Sequence, residues 1–341
     1  MHSPFVIAPG DCARPAEFQI LVNSDYMREN SRMSNDPFSD LLTLTNAQSV
    51  ISGGFKIGGA WSLQFRPQQI KFYALLKGSC WLDVEGGAGP VRLEAGDTFL
   101  VTTRDFVLST DLSLAPVEAK PLFATFEGRV KELTAETDVE IMGGHAGLDP
   151  ERGALLTDVM PPFIHAKAGS PQAAVLQWVV AQIVSEQTAD LPGGSVASAQ
   201  LAQLLFVQLL RAHLDHAGSL AAGLLRAVSD RRIAPALRLM HAEPGRAWQL
   251  EELAAAAAMS RTTFAVYFKQ VAGIAPLAYL TEWRMRLAER SLREDDVQVA
   301  TLARSLGYTS ESAFSNAFKR VTGRAPKFYR NDTRAMAVAA E

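Results

Sequence analysis

Disulfide chemistry is nearly absent from this chain: its 341 residues hold two cysteines, Cys12 and Cys80, too few for a disulfide framework or a four-thiolate zinc site. The N-terminus also lacks the basic region followed by an apolar stretch that marks a secretory leader. Both absences point to a reducing cytoplasm. Long hydrophobic runs are missing as well. The most apolar, LAQLLFVQLL at 201–210, is roughly half of what a bilayer requires and is interrupted by Gln203 and Gln208, so no membrane span is expected. Nor is there a large excess of one charge, with 33 Lys+Arg against 36 Asp+Glu and a formal net charge of −3.

An ordinary globular composition is what remains, 48% hydrophobic and 20% charged with 24 Gly and 17 Pro, which excludes global disorder and fibrous repeats. At roughly 150 residues per domain, the length implies about two domains. The charge is unevenly split between them. Residues 231–341 carry 17 Lys+Arg against 11 Asp+Glu, a net of +6, which leaves −9 for residues 1–230. A basic third joined to an acidic body suits a chain whose end meets a polyanion while its body does something else.

Residues 1–36 are polar and irregular, read as a flexible arm, with Met1, Met27 and Met33 as alternative translation starts. From about 41 to 126 come short runs such as FKIGG, WSLQF, KFYALLKG, CWLDVEGG and TFLVTT, several alternating with period two and separated by Gly and Pro. That is the pattern of half-buried strands at hairpin spacing, in a small β-barrel or jelly roll. GGAG at 86–89 is a hairpin tip. After a Gly- and Pro-rich connection at 143–162 the period becomes 3.6, with Val175, Leu176, Val179, Val180 and Ile183 on one helical face and Leu201, Leu204, Leu205, Leu209 and Leu214 on another. These faces are either dimer contacts or intramolecular core.

Two later stretches share one plan. LEELAAAAAMSRTTFAVYFKQVAG at 250–273 and VATLARSLGYTSESAFSNAFKRVTG at 299–323 each combine a short helix, a polar turn and a second helix opened by small hydroxyl residues. Ser260 is a natural N-cap in the first, Thr309 or Ser310 in the second, and the pairs Phe264/Phe268 and Phe314/Phe318 face inward. Between them, PLAYLTEWRMRLAERSLRE at 276–294 is a strong helix with Trp283 on its apolar side. A plain helical bundle would use the aromatic pairs and caps in the same way. The duplication around a basic connecting helix favours DNA reading, because two such units can offer their helix N-termini to successive major grooves about one turn apart.

Residues 233–330 resemble the DNA-binding domain of the AraC family of transcription regulators, on LAAAAAMSRTTF, YLTEWRMRLAERSL, GYTSESAFSNAFKRVTGRAP and FYR. Upstream, FYALLKGSCWLDVEGGAGPVRLEAGDTFLV resembles the cupin-type sensor domain of one branch of that family, and the segment ending LLFVQLLRAHL its linker. The resemblance implies an α+β chain in two domains: an N-terminal cupin-like β-barrel or jelly roll with a helical linker, and an all-α C-terminal double helix-turn-helix. The expected boundaries are 37–150 for the sensing and dimerising domain, 151–230 for the linker, 231–332 for the DNA-binding domain and 333–341 for a tail. It also implies base-reading positions at Arg261, Thr262, Ala265, Val266 and Lys269 in the first unit. In the second they are Glu311, Ser312, Ser315, Asn316 and Lys319, with Arg320 near a phosphate. Family members often carry arginine where Val266 and Asn316 stand, so adenine reading by Asn316 and thymine-methyl contact by Ala265 or Val266 replace guanine reading.

Cupin enzymes hold a metal with histidines, yet all six histidines (His2, His145, His165, His213, His216 and His241) fall outside 41–126, and Lys71, Phe72 and Tyr73 stand where the first ligands would be. No metal, cofactor or catalytic residue is therefore expected. Asp97, after Gly96, is expected to bond backbone amides. His213 and His216 read as a surface pair at a helix end and Cys80 as a small buried hydrophobe. Trp61, Phe65, Phe72, Tyr73, Trp81, Phe99 and Phe106 either line a small-ligand pocket or simply fill the barrel. The sequence thus predicts a cytoplasmic transcription regulator whose partners are double-stranded DNA, a small-molecule effector, a second copy of the chain and RNA polymerase. The alternatives are a cupin enzyme with a DNA-binding tail and a constitutive dimer with a non-sensing barrel.

Overall fold

The computed structural model describes residues 36–331 apart from 125–128, 149–152, 158, 190, 216–221 and 295. The arm through residue 35, the tail at 333–341, His2, Cys12, Met27, Met33 and His216 lie outside the described residues. Among these residues eleven strands form two sheets: β1 (Gln48–Ile57), β2 (Ser62–Phe65), β3 (Ile70–Lys77), β4 (Ser79–Val84), β5 (Val91–Glu94), β6 (Thr98–Val101), β7 (Phe106–Ser109), β8 (Val117–Glu118), β9 (Val130–Glu132), β10 (Val139–Gly147) and β11 (Phe163–Ala166). One sheet runs β11-β6-β3-β10-β1-β9 and the other β5-β4-β7-β2-β8. Of the two architectures expected, the chain takes the jelly-roll-like one; the sheets do not close into a barrel.

Period-two alternation decides what each face does. Along β3 and β6, Tyr73, Leu75, Phe99 and Val101 point between the sheets, while Ile70, Phe72, Ala74 and Leu100 point to the opposite face. That opposite face is covered by α4 (Ala173–Ala189) and α5 (Gly194–Leu214), whose Leu176, Val179, Val180, Ile183, Leu205, Phe206 and Leu209 are buried against it. The linker faces thus serve mainly as intramolecular core, with Val175 left exposed. Two short helices, α2 (Lys120–Phe123) and α3 (Ala154–Thr157), lie in the connections.

The six-stranded sheet extends past the expected end of the domain. β10 and β11 arise from the stretch read as connection and linker, which puts His145 and His165 on strands of the sandwich. His145 Nδ1 lies 2.8 Å from Ser52 Oγ. His165 Nε2 lies 2.9 Å from Asp97 Oδ2, and the Asp97 carboxylate also accepts from the Glu94 and Ala168 amides, the backbone role expected of it. Among the described residues no three His, Cys, Asp or Glu side chains converge as metal ligands. Cys80 is fully buried, and burial pushes its thiol up to about 12, which leaves it without thiolate reactivity.

The seven candidate ring residues part company. Trp61, Phe65, Tyr73, Phe99 and Phe106 share the core between the sheets, Trp61 packing edge-on against Phe55, Phe65 stacking on Phe106 at 4.8 Å and Tyr73 on Phe99 at 5.1 Å. Phe72 belongs to the other face, beneath the helices, because it differs from Tyr73 by one position in the pleat. Trp81 is half-buried and meets the Arg92 guanidinium at 5.4 Å across the β4/β5 pair.

A helix not anticipated from the sequence precedes the first strand. In α1 (Pro37–Leu44), Asp36 caps the Phe38 amide and Pro37 occupies the first turn. The C-terminal domain follows the linker, whose last helix is α6 (Leu224–Ser229), as α7 (Ala234–Ala242), α8 (Leu250–Ala256), α9 (Arg261–Ala272), α10 (Pro276–Glu294), α11 (Val299–Ser305) and α12 (Glu311–Thr322). It holds two cores: one around Trp248, Phe264, Phe268 and Trp283, the other around Met285, Leu302, Phe314 and Phe318.

Between α1 and α7 lies a buried polar contact. Asp40 and His241 are 2% and 0% exposed, with Asp40 Oδ2 at 2.9 Å from His241 Nδ1. Burial holds the imidazole below its ordinary value of 6.5, against the opposing pull of the Asp40 carboxylate. A native state that binds fewer protons than the unfolded chain keeps this contribution above about pH 6.5 and loses it as the pH falls further. Melting temperature is therefore expected to fall more steeply between pH 6.5 and 5 in the natural protein than in His241→Gln. Parallel profiles for the two proteins would count against it.

Candidate nucleic-acid interface

Each helix-turn-helix unit is built by the same local chemistry. In the first, Gln249 and Glu252 form a capping box at the start of α8, and the Ser260 hydroxyl accepts from the Thr263 amide at 3.2 Å to open α9. In the second, Ser310 rather than Thr309 is the cap, accepting from the Ala313 amide at 3.1 Å to open α12. Gly273 and Gly323 close the two helices at φ 79° and 77°. From the cap of the second helix onward the repeat keeps an interval of fifty residues: Ser260 recurs as Ser310, Phe264 as Phe314, Phe268 as Phe318, Lys269 as Lys319, Gly273 as Gly323 and Tyr279 as Tyr329.

Burial divides each helix into an anchored and an open side. Phe264 and Phe268 are fully buried, as are Phe314 and Phe318, with ring centroids 5.5 Å and 5.7 Å apart within each pair. Of the eleven residues expected to read DNA, Arg261, Thr262, Val266, Lys269, Glu311, Ser312, Asn316, Lys319 and Arg320 are exposed, while Ala265 and Ser315 are half-buried at equivalent positions. Val266, at 65% exposure, is an apolar side chain left in water at the centre of the open side.

The two open faces differ in charge. Arg261 at the start of α9 is held by Glu251 at 2.8 Å, so it meets a phosphate only by exchanging that exposed ion pair, which is worth little in water. At the start of α12 stands Glu311 instead, a carboxylate that suits the helix N-terminus and repels phosphate. Lys269 and Lys319 lie in the last turn of their helices.

What sequence reasoning missed is how the units are joined. Gly245, ahead of α8, and Gly307, between α11 and α12, meet backbone to backbone: a Cβ on Gly307 would overlap the Gly245 carbonyl oxygen. Arg284 of the connecting helix clamps the same loop, its Nε donating to the Pro244 carbonyl at 2.5 Å and its Nη2 to that of Arg246 at 2.8 Å. The positive φ of Gly307, 81°, was marked in the sequence by glycine after a helix; its partner across the interface carried no local mark.

Comparison with known proteins bears on both halves. A cupin family model matches residues 36–215 and a helix-turn-helix domain model residues 253–332. A putative AraC-like transcription regulator of Streptomyces antibioticus is 39% identical over 297 residues, 86% of this chain and 98% of its own length. The HTH-type transcriptional regulator AlkR of Acinetobacter baylyi is 26% identical over 82% of this chain and 93% of its own. Among solved structures, the DNA-binding domain of AdpA in complex with a target DNA is similar over 31% of this chain and 96% of that one, at 33% identity and a TM-score of 0.30.

Proposed function

This chain belongs to the AraC-like transcription regulators, with a cupin domain ahead of a helix-turn-helix domain, and from that premise we propose that α9 and α12 enter successive major grooves on one face of double-stranded DNA. The observation that carries this reading is the fifty-residue repetition of open and anchored positions on two helices whose separation is held by α10 and the Gly245–Gly307 contact. Base edges are met by Thr262, Ala265 and Val266 on α9 and by Ser312, Ser315 and Asn316 on α12, and phosphates by Arg261, Lys269, Lys319 and Arg320. The protein acts in the cytoplasm, where its operator and RNA polymerase are.

The effector works at the cupin domain but outside the space between the sheets, which five aromatic rings fill. A crevice of about 440 Å³ between the six-stranded sheet and α4, lined by Leu76, Val180 and Val184 together with the polar Thr98, Glu140 and Gln177, is the better receptacle. A second copy of the chain docks on the outer side of α4, where Val175 and Trp178 are 45% and 55% exposed.

Selection of bound sites from random duplex DNA at near-physiological salt tests the double reader. The expected result is two short motifs about one helical turn apart. Folded protein that enriches no motif would overturn it. Asn316→Ala is expected to cost about 1–3 kcal/mol at one base position and relax the preference there. Equal loss on all sequences would rule out base reading by Asn316. Lys319→Ala should weaken binding uniformly and reduce the salt slope by about one ion, a slope that stays the same if Lys319 does not touch phosphate.

A further inference from the structure

Helix α1 is shared between the two halves of the molecule. Its Phe38 and Leu41 are buried in the core beneath the six-stranded sheet, whereas Leu44, three residues on, is buried in the core of the first helix-turn-helix unit. The joint from α1 to β1 is short and fixed: Thr45 is fully buried with its hydroxyl bonded to the Leu42 carbonyl, Asn46 adopts φ 46°, and β1 starts at Gln48. A displacement of β1 within the sheet therefore moves α1 with it.

On the other side, α1 meets a continuous line of side chains that ends on a reading helix. Asp40 is bonded to His241 Nδ1, and His241 Nε2 lies 2.8 Å from the Tyr279 hydroxyl. With Nδ1 carrying the proton, the imidazole donates to the carboxylate and accepts from the phenol, so all three groups are matched. The imidazole stacks on Trp283 at 3.7 Å and 3°, and Tyr279 packs edge-on against Phe268 at 5.6 Å. Phe268 is the inward anchor of α9. Among the described residues the second core, around Phe314 and Phe318, contains no residue of α1 or α7 and not Tyr279, and meets the first core through Leu287 of α10. Burying ionisable groups costs desolvation that an apolar contact would not, and what such groups supply in exchange is a directional fit.

We propose that Asp40 and His241 are positioning residues that tie the first reading helix to the six-stranded sheet through α1, so that the state of the sheet reaches α9 directly and α12 only secondarily, through α10. The first reader is the more strongly regulated one, and the second feels the sensor only through its junction with the first. This rests on the reading of α9 and α12 as DNA readers only for its DNA readout.

Hydrogen exchange on the full chain tests the tie without DNA. In Asp40→Ala the amides of residues 234–242 and 261–272 are expected to exchange roughly ten- to a hundredfold faster, the factor by which losing one hydrogen bond to a charged group shifts a local opening equilibrium. Residues 311–322 should change much less. Asp40→Asn, which keeps an acceptor oxygen toward Nδ1, should restore most of the protection. Tyr279→Phe, which removes only the hydroxyl, covers the case in which Asp40→Ala does not fold and should loosen the same two segments. Equal exchange in 261–272 and 311–322 in these variants would overturn the proposal. Site selection with Asp40→Asn and Tyr279→Phe then adds the functional arm. Tyr279→Phe is expected to lose sequence information in one motif and keep the motif altered by Asn316→Ala, with Asp40→Asn close to the natural protein. Change in both motifs alike, or in neither, would sink the tie as a route to α9. Absence of any motif with the natural protein would instead defeat the DNA reading and leave the exchange result to decide the tie.

Discussion

Phe318→Ala is expected to remove the second reader while leaving the first in place, and Phe268→Ala to do the reverse. Both rings are fully buried, and each is the hinge of its own core, Phe318 against Phe314 and Tyr329, Phe268 against Phe264 and Tyr279. Truncating a buried phenylalanine costs about 3–5 kcal/mol, and small domains are stable by only about 5–15 kcal/mol, so a half-domain of this size loses much of its margin. The cores communicate through α10, where Leu287 packs against both, so some destabilisation will cross over. Calorimetry and site selection check this together. Phe318→Ala should show an early partial melting step and recover only the motif that survives Asn316→Ala. Loss of both motifs in each variant would mean that the two units fold as one cooperative block.

The reading helices were legible in the sequence because what defines them is local. Ser260 and Ser310 cap within three residues, Gly273 and Gly323 stop the helices, and the phenylalanine pairs set the inward side at four-residue spacing. The sandwich was legible as strands but not as a topology, since partners such as β1 and β10 are brought together from opposite ends of the domain. Gly143 and Gly144 show how this misled. In a Gly- and Pro-rich stretch they read as a connection, yet they are central positions of β10, glycine because the Tyr73 and Phe72 rings of β3 occupy the space a Cβ would need on either face. Glycine there marks close approach across a sheet, and the sequence around it looks the same as a loop.

Other features were visible only in part. Asp36-Pro37 followed by Phe38 and Leu41 is an N-terminal helix signal that was there to be read, but nothing local links Asp40 to a histidine 201 positions away. Likewise the aromatic content of the strands was plain, while its division between two faces depends on a one-residue register that only pairing settles.

The largest effect on paired-site binding is expected from Gly245→Ala and Gly307→Ala. At both positions a methyl group would be driven into backbone, the Ser305 carbonyl in one case and the Gly245 carbonyl in the other, and backbone cannot swing aside as a side chain can. The two helix-turn-helix units must then separate or rotate. Gly307 adds a penalty of its own, about 1–2 kcal/mol for an L-residue at its φ of 81°, whereas Gly245 has no positive φ and so isolates the effect of the contact. Two readers held at the spacing of their half-sites act as linked binders, and that linkage multiplies affinity without new contacts. Spoiling it in Gly245→Ala should weaken binding to DNA carrying both motifs on the order of a hundredfold, the lower end of what linkage supplies. Binding to either motif alone should change little, because α9, α12 and their own cores are untouched. Site selection should also return a broader range of spacings between motifs, since the loop clamped by Arg284 no longer fixes one separation. If Gly245→Ala keeps both the paired-site affinity and the narrow spacing, the rigidity lies in α10 alone, and the glycine contact follows from the arrangement of the readers without setting it.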